Sequence, residues 1–386
     1  MNRTFLHRRL AGFTLIELLI GLLLGALVAA AATTVFMMNS RTREATDSLG
    51  RMQEGARVAF ELMARDLRQA GAFPCGREAG IGDSGTRMQG LDYAVSNALA
   101  NADAIWWASW SQSLPTGPRG GLRGYAATQA FDDAPFGTAT ANRVADTAAI
   151  EIRYAHPRVL DGAFLPPANP ASDPARIQLN WPATGVNGHG FVSGDLVFVC
   201  AQSLAPVGSG APPVQNQDLR DFRPWAALAQ VRVSGSLLEL AYTGLQPGNR
   251  NPALWTPAPI WAPSTRAQPR VRVSRYVPVR WYVGTNARGG RSLFRETISA
   301  GDNPQALREE VVEGVSNLRL EYALDGGLDF VAAPVGDWAD VTAVRLTVRV
   351  ESGQGGPGAE GARVGEGGTT LQREFTSVVA LRSRLP

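Results

Sequence analysis

One carboxylate stands at the edge of a long apolar segment near the start of the chain. Glu17 is followed by Leu18–Met38, which contains no charged side chain and is rich in Leu, Ala and Val. A segment of about 20 apolar residues can cross a bilayer as a helix. A carboxylate there is costly unless it finds a partner. The chemistry suggested is charge pairing, with Glu17 either an interfacial residue favoured by the helix dipole or a charge kept for a later partner.

The residues before Glu17 reverse the usual order of a secretory signal. An ordinary signal peptide has a basic start, a short apolar core and a cleavage site after that core. Here the basic start, with Arg3, Arg8 and Arg9, ends at Gly12, and the apolar segment follows this glycine. Cleavage after Gly12 would therefore leave the apolar helix on the mature chain.

The segment Gly12–Glu17 resembles the type III signal of type IV prepilins and pseudopilins. That resemblance implies that a prepilin peptidase cuts after Gly12 and methylates the new N-terminal residue, Phe13. It also implies that the Glu17 carboxylate pairs with the terminal amine of its own or a neighbouring subunit in a filament. Electrostatics agrees, because cleavage creates an ammonium group beside an apolar segment and a buried charge needs an opposite one.

No other set of residues forms a coherent catalytic group. Gly82–Gly85 is similar to the serine-nucleophile motif of trypsin-like proteases, but a triad needs a histidine base. The only histidine before Ser84 is His7 in the leader, and His156 and His189 follow it, opposite to the order in that family. We therefore expect no catalytic residue, no enzymatic activity and no cofactor.

The two cysteines, Cys75 and Cys200, suggest a disulfide. Cys75 follows the predicted end of the N-terminal helix, and Cys200 ends a predicted strand. In an oxidising compartment a bond between them would tie the helix to the sheet, and closing so long a loop stabilises by about 4–5 kcal/mol in the chain-entropy model. Two separate thiols are the alternative. Two cysteines without a nearby histidine cluster give no basis for a metal site.

Length and charge bear on the domain organisation, on nucleic-acid binding and on membrane orientation. The chain has 386 residues and a formal net charge of +3. It is long for one domain, but a large β-rich domain can reach this size. The basic residues after the leader are scattered, so we expect no nucleic-acid binding. The positive-inside rule predicts that the N-terminus lies in the cytoplasm and the bulk of the chain outside it. In a Gram-negative cell, the single span would then lie in the bacterial inner membrane and the bulk of the chain in the periplasm.

One long helix must carry Glu17. Beyond Met38, apolar residues recur at helical spacing from Ala45 to Ala70, which predicts a continuing helix with one stripe docked on something apolar. A helix from Phe13 to Ala70 would be about 87 Å long. Gly71 is placed to end it.

The rest of the chain predicts a sheet. From about Phe73, short alternating segments are bounded by Gly, Pro, Ser and Asn, a pattern typical of antiparallel strands. Pro278 inside Val271–Val283 indicates an edge strand or a bulge. The predicted fold class is α+β, pilin-like, with a long N-terminal helix, transmembrane in its first half, packed on an antiparallel β-sheet domain. The predicted parts are a leader peptide at 1–12, a transmembrane segment at 13–38, a periplasmic helix continuation at 39–72, and a β-rich globular domain at 73–386 with a flexible Gly-rich loop at 351–368.

The last third carries a second resemblance, to the C-terminal region of PilW-type minor pilins. It rests on Arg280–Val283, Ser292–Glu296, Val311–Val315, Leu318, Leu320, Tyr322, Asp325 and Phe375–Arg382. It implies a structural subunit that helps to initiate or cap type IV pili. The implied partners are the prepilin peptidase, other minor and major pilins, and the inner-membrane assembly platform.

Two other functions stay open from the sequence. A pseudopilin of a type II secretion system would carry the same N-terminal signal, and a mutant phenotype would separate lost piliation from lost enzyme secretion. A membrane-anchored periplasmic enzyme or binding protein would need a polar pocket in the β domain and an uncut N-terminus.

Overall fold

The computed structural model describes most of the N-terminal helix and of the β-rich part. The described residues are 14–72, 74, 95–97, 99, 105–108, 121–165, 173–181, 188–201, 225–241, 244–249, 270–333, 335, 338–352 and 370–381. Gly12, Phe13, Cys75 and Gly82–Gly85 lie outside them, as does most of the predicted loop at 351–368.

One helix, α1, spans Leu15–Gln69 and contains 55 residues, which makes it about 82 Å long. Thr14 is its N-cap, and Ala70 follows its last turn with an N–H that donates to the Leu67 carbonyl. Gly71 then adopts a φ of 72°, a conformation that glycine reaches without strain. The predicted long helix and its end near Gly71 are confirmed.

The two halves of α1 have different surroundings. The side chains described between Leu15 and Ser40 are exposed, whereas a stripe on the second half is buried. The predicted stripe is confirmed at Met52, Ala56, Met63, Leu67 and Ala70, each at most 4% exposed.

Fifteen strands are described. They are β1 (Val95–Asn97), β2 (Leu122–Tyr125), β3 (Ala149–Leu165), β4 (Arg176–Leu179), β5 (Leu196–Ala201), β6 (Trp225–Gln230), β7 (Arg232–Ser234), β8 (Leu237–Glu239), β9 (Arg270–Thr285), β10 (Arg291–Ile298), β11 (Ala306–Glu313), β12 (Val315–Leu324), β13 (Phe330–Ala332), β14 (Val341–Glu351) and β15 (Gln372–Ala380).

The strands form two sheets rather than one. The larger sheet has eleven strands, with β1-β6-β5-β9-β3-β4-β8-β7 in spatial order, β10 and β11 added beside β9, and β2 added beside β3. The smaller sheet has the order β13-β12-β14-β15. All the paired strands are antiparallel except β1 and β6.

Pro278 lies in the interior strand β9 and not at a sheet edge. On one side β9 pairs with β3, where Pro278 faces Arg153. On the other side, β5 pairs with β9 only up to Arg275, and β10 begins to pair at Arg280. Pro278 therefore lies in a gap between two neighbouring strands, where a missing backbone N–H interrupts no ladder on that side.

The smaller sheet contains the predicted turn after β12. Asp325 and Gly326 have φ values of 53° and 73°, and the Gly327 N–H donates to the Leu324 carbonyl at 2.8 Å. Two successive residues with positive φ make this a type I′ turn, which suits a tight hairpin.

The helix and both sheets share the main hydrophobic core. The α1 stripe packs with the inner face of the larger sheet, at residues such as Ile150 and Val279, and with that of the smaller sheet, at residues such as Leu320 and Leu346. The predicted α+β architecture, with a long helix on a largely antiparallel β domain, is confirmed.

Candidate functional site

The helix begins at a reciprocal contact between Thr14 and Glu17. The Thr14 N–H and hydroxyl donate to one Glu17 carboxylate oxygen at 3.2 and 3.1 Å, and the Glu17 N–H donates to the Thr14 hydroxyl at 3.3 Å. This is a capping box, which satisfies two backbone donors that the helix itself leaves unpaired. Among the described residues, the exposed Glu17 side chain contacts Thr14 alone by hydrogen bonds, so the carboxylate is accessible to a partner.

The segment after Glu17 has the length and composition of a membrane span. It is strongly apolar, and its side chains are not buried against the rest of the described chain. An ideal Cβ built on Gly21 or on Gly25 meets no atom within 4 Å. This helix surface is therefore open for close packing against another helix.

The second carboxylate of interest is Asp66, on the docked half of α1. Asp66 is only 3% exposed. It accepts hydrogen bonds from the Tyr154 hydroxyl at 3.1 Å, the Trp281 indole N–H at 2.9 Å, and the Arg295 guanidinium at 3.0 Å through Nε. These side chains belong to β3, β9 and β10, so one helix residue is bound to three strands. We refer to Asp66, Tyr154, Trp281 and Arg295 as the Asp66 seat.

The environment of the Asp66 seat shifts the pKa of two of its donors. Burial raises the pKa of Tyr154, and the negative charge of Asp66 together with its hydrogen bond raises it further. Burial lowers the pKa of Arg295, but the hydrogen bond and the attraction of Asp66 outweigh it, so the net shift is upward. Tyr154 therefore stays a neutral donor, and Arg295 a charged one, over the physiological range.

The opposite face of β3 carries a buried network of charges. Glu151 accepts hydrogen bonds from Tyr125 at 2.9 Å, Arg153 at 2.8 Å and Arg280 at 2.7 Å. Burial raises the pKa of Glu151, but the attraction of Arg280, Arg153 and Arg123 outweighs it, so the net pKa is lowered. Because both Glu151 and Arg280 have side chains only 1% exposed, the network belongs to the interior of the domain.

Arg280 is held from all sides. Its guanidinium lies 4.1 Å from the ring centre of Trp106 and 4.2 Å from that of Phe131. It also donates to Asp133 at 3.0 Å. Cation–π contacts and buried ion pairs of this kind hold a sheet face together.

The structure describes one of the two cysteines. Cys200 is 1% exposed in β5 and is disulfide-bonded. Cys75 lies outside the described residues, so the Cys75–Cys200 pairing stays a prediction. In the part of the chain that the structure describes, no group of three or more His, Cys, Asp or Glu side chains could hold a metal ion.

Of the predicted site residues, only Glu17 and Cys200 are described. Sequence reasoning missed Asp66, whose donors lie 88, 215 and 229 residues away along the chain. The available signal was its place on α1, since Asp66 directly precedes Leu67 of the apolar stripe and is buried with it. A charged residue at the border of such a stripe is worth testing for buried donors.

Two family models match the chain, one near each end. Residues 7–33 match the prokaryotic N-terminal methylation motif, a range that includes Gly12, Phe13 and Glu17. Residues 280–383 match the type IV pilus-assembly protein W, a range that includes Trp281 and Arg295 of the Asp66 seat and the whole smaller sheet. No curated protein and no solved structure matches the chain. The two matches, together with the exposed apolar helix, make this chain similar to a PilW-like pilin with a type III signal, and they support a membrane-anchored pilin related to type IV pili.

Proposed function

We propose that this chain is a minor pilin that a prepilin peptidase processes and that takes part in the assembly or initiation of a type IV pilus. The observation that carries this proposal is the match of residues 7–33 to the methylation motif, continuous with an apolar helix whose described side chains from Leu15 to Ser40 are exposed. The match of the last third to the pilus-assembly protein W favours a pilus over a secretion pseudopilus.

Processing removes 1–12 and leaves Phe13 as a methylated N-terminus. The new ammonium group then lies one residue before Thr14, whose N–H and hydroxyl already hold the Glu17 carboxylate. An ammonium in an apolar environment needs an opposite charge. Glu17 provides it, to its own chain or to a neighbouring subunit.

The subunit is structural rather than catalytic. Before assembly its helix lies in the inner membrane, with the N-terminus in the cytoplasm and the β-rich domain in the periplasm. On assembly the helix leaves lipid for a bundle of helices from other minor and major pilins on the assembly platform. Apolar burial is roughly conserved in that step, so packing of small residues and the pairing of Glu17 select the final arrangement.

The test is the intact mass and N-terminal peptide mass after expression with and without a prepilin peptidase. We expect loss of Met1–Gly12 and gain of one methyl group at Phe13 only when the peptidase is present. A Gly12→Val variant is the matched control and should stay uncut. An intact N-terminus beside an active peptidase would overturn the proposal and leave Glu17 as an interfacial residue.

A further inference from the structure

Apolar packing alone does not determine where α1 sits along the β domain. The docked stripe is rich in alanine, at Ala56, Ala59, Ala64 and Ala70, with Met52, Met63 and Leu67 between them. Apolar residues on such a stripe recur every three to four positions. A shift by one helical turn would therefore again place small or adaptable apolar side chains against the sheets. A unique register requires features that do not repeat.

Asp66 is the first such feature. Among the described side chains of α1, it is the only charged one that is buried. A shift of one turn would bring Leu62 or Ala70 to the donors of Tyr154, Trp281 and Arg295. A buried donor without an acceptor loses its hydrogen bonds to water and gains none from the protein, which destabilises the fold. The Asp66 seat therefore disfavours the neighbouring registers, although the apolar stripe tolerates them.

Gly55 is the second feature. An ideal Cβ at Gly55 would lie 2.9 Å from Cγ1 of Val312 in β11, closer than real Cβ atoms approach. Any larger residue at this helix position would force the Val312 side chain, or one of the two elements, to shift. By contrast, an ideal Cβ at Gly50 meets nothing within 4 Å. A shift of one turn would place the side chain of Arg51 or Ala59 against Val312.

The two features lie on the same side of α1. Gly55 and Asp66 are eleven residues apart, which is about three turns and about 16 Å along the axis. We propose that Asp66 and Gly55 act together as positioning residues that fix the axial and rotational register of α1 on the β domain. The consequence for assembly rests on the proposed function: one register presents the domain at one angle to neighbouring subunits.

Cysteine pairs that report the register test this proposal in the full-length protein in membranes. The pair Gly55→Cys/Val312→Cys reports the observed register, because their Cβ atoms come within disulfide range. The pairs Arg51→Cys/Val312→Cys and Ala59→Cys/Val312→Cys report the registers one turn away. Each pair is oxidised with and without a change at Asp66, and the linked peptides are quantified by mass.

With Asp66 intact, we expect the 55/312 link to exceed each shifted link by about tenfold or more, the preference expected when a shift leaves a buried donor unpaired. Asp66→Leu should bring a shifted link to a yield comparable with the 55/312 link. Asp66→Asn keeps the size and an acceptor oxygen, and should restore most of the original preference. Circular dichroism identifies any variant that has unfolded, in which case the Asp66→Asn comparison decides.

A yield of shifted links that is the same with Asp66, Asn and Leu at this position would overturn the proposal. The readout does not depend on filament formation, since the links form within one subunit. If the peptidase test failed while the register changed as expected, the proposed function would fall and the role of Asp66 in positioning α1 would stand.

Discussion

Two carboxylates of α1, one on each half, have opposite surroundings. Glu17, on the apolar half, is exposed and bonded to Thr14, three residues away. Asp66, on the docked half, is buried and bound by side chains from three strands. The first half has no charged residue between Glu17 and Met38, whereas the second half carries charges along its exposed face. One helix can therefore leave one carboxylate accessible to a later partner while another carboxylate forms part of the folded interior.

The largest effect is expected from removing the ring at the centre of the Asp66 seat. Trp281 is fully buried, and a Trp→Ala change in a core costs about 3–5 kcal/mol. The loss of a buried donor to Asp66 adds to this cost. We therefore expect Trp281→Ala to lower the free energy of unfolding by at least that amount, measured by chemical denaturation in detergent with circular dichroism.

Trp281→Phe helps to separate the two contributions, because it keeps a buried aromatic ring, although a smaller one, and removes the N–H. It should cost about 1–3 kcal/mol, the range for leaving a buried polar group unpaired. Val378→Ala is the control for a side chain that is 55% exposed, and should change stability by less than about 0.5 kcal/mol. Equal losses in the free energy of unfolding for Trp281→Ala and Val378→Ala would contradict a large contribution of the Asp66 seat to stability.

The next prediction concerns acid denaturation, and it depends on the buried charge network around Glu151. The folded pKa of Glu151 is below its ordinary value, so the folded state binds fewer protons than the unfolded state near that value. The stability that Glu151 provides is therefore present above a pH of about 4.3, the ordinary glutamate pKa, and is lost as the pH falls through the lower, folded pKa. Denaturation series from pH 7 to pH 3 should show this loss.

Glu151→Gln should flatten the acid limb and lower stability at pH 7 by about 3–5 kcal/mol, since Arg153 and Arg280 would lose a buried partner. Glu374→Gln is the matched control, because Glu374 forms an exposed pair with Arg349 that solvent screens. If the free energy of unfolding fell equally steeply with pH in the unchanged protein and in the Glu151→Gln variant, Glu151 would not be the source of the acid sensitivity.

A smaller effect should separate two glycines of the same helix. Gly50→Ala should stabilise by about 0.5–1 kcal/mol, because alanine is the better helix former and the added Cβ meets nothing. Gly55→Ala should have the opposite sign, because its Cβ would collide with Val312. Thermal unfolding of both variants in detergent measures the difference, and a gain for both would show that β11 moves aside at little cost.

The sequence predicted those features that local pattern determines. The helix and its stripe followed from spacing, the turn at Asp325 from its glycines, and β12 and β14 from alternation. Strand β11 was missed, because most of its side chains, including Arg308, Glu309 and Glu310, are exposed and so give no apolar alternation. The Asp66 seat was missed because its donors come from distant strands. Pro278 was misplaced because only the pairing of β5 and β10 reveals the gap beside it.

The smallest effect on stability should come from Glu17→Gln. This change tests whether the Glu17 charge, unlike that of Asp66, acts in assembly and not in folding. Glutamine can complete the same capping box with Thr14, so the helix start keeps its hydrogen bonds, and stability should change by less than about 0.5 kcal/mol. The charge, however, is lost, and with it the partner that the proposed function requires for the amine of Phe13. We expect normal folding and normal cleavage by the peptidase, but loss of the subunit from sheared pili, measured by immunoblot against total protein. Thr14→Ala is the matched control, because it removes the cap, which is worth about 0.5–2 kcal/mol, and keeps the charge. If Thr14→Ala were lost from pili and Glu17→Gln were retained, the capping contact rather than the carboxylate charge would be what assembly needs.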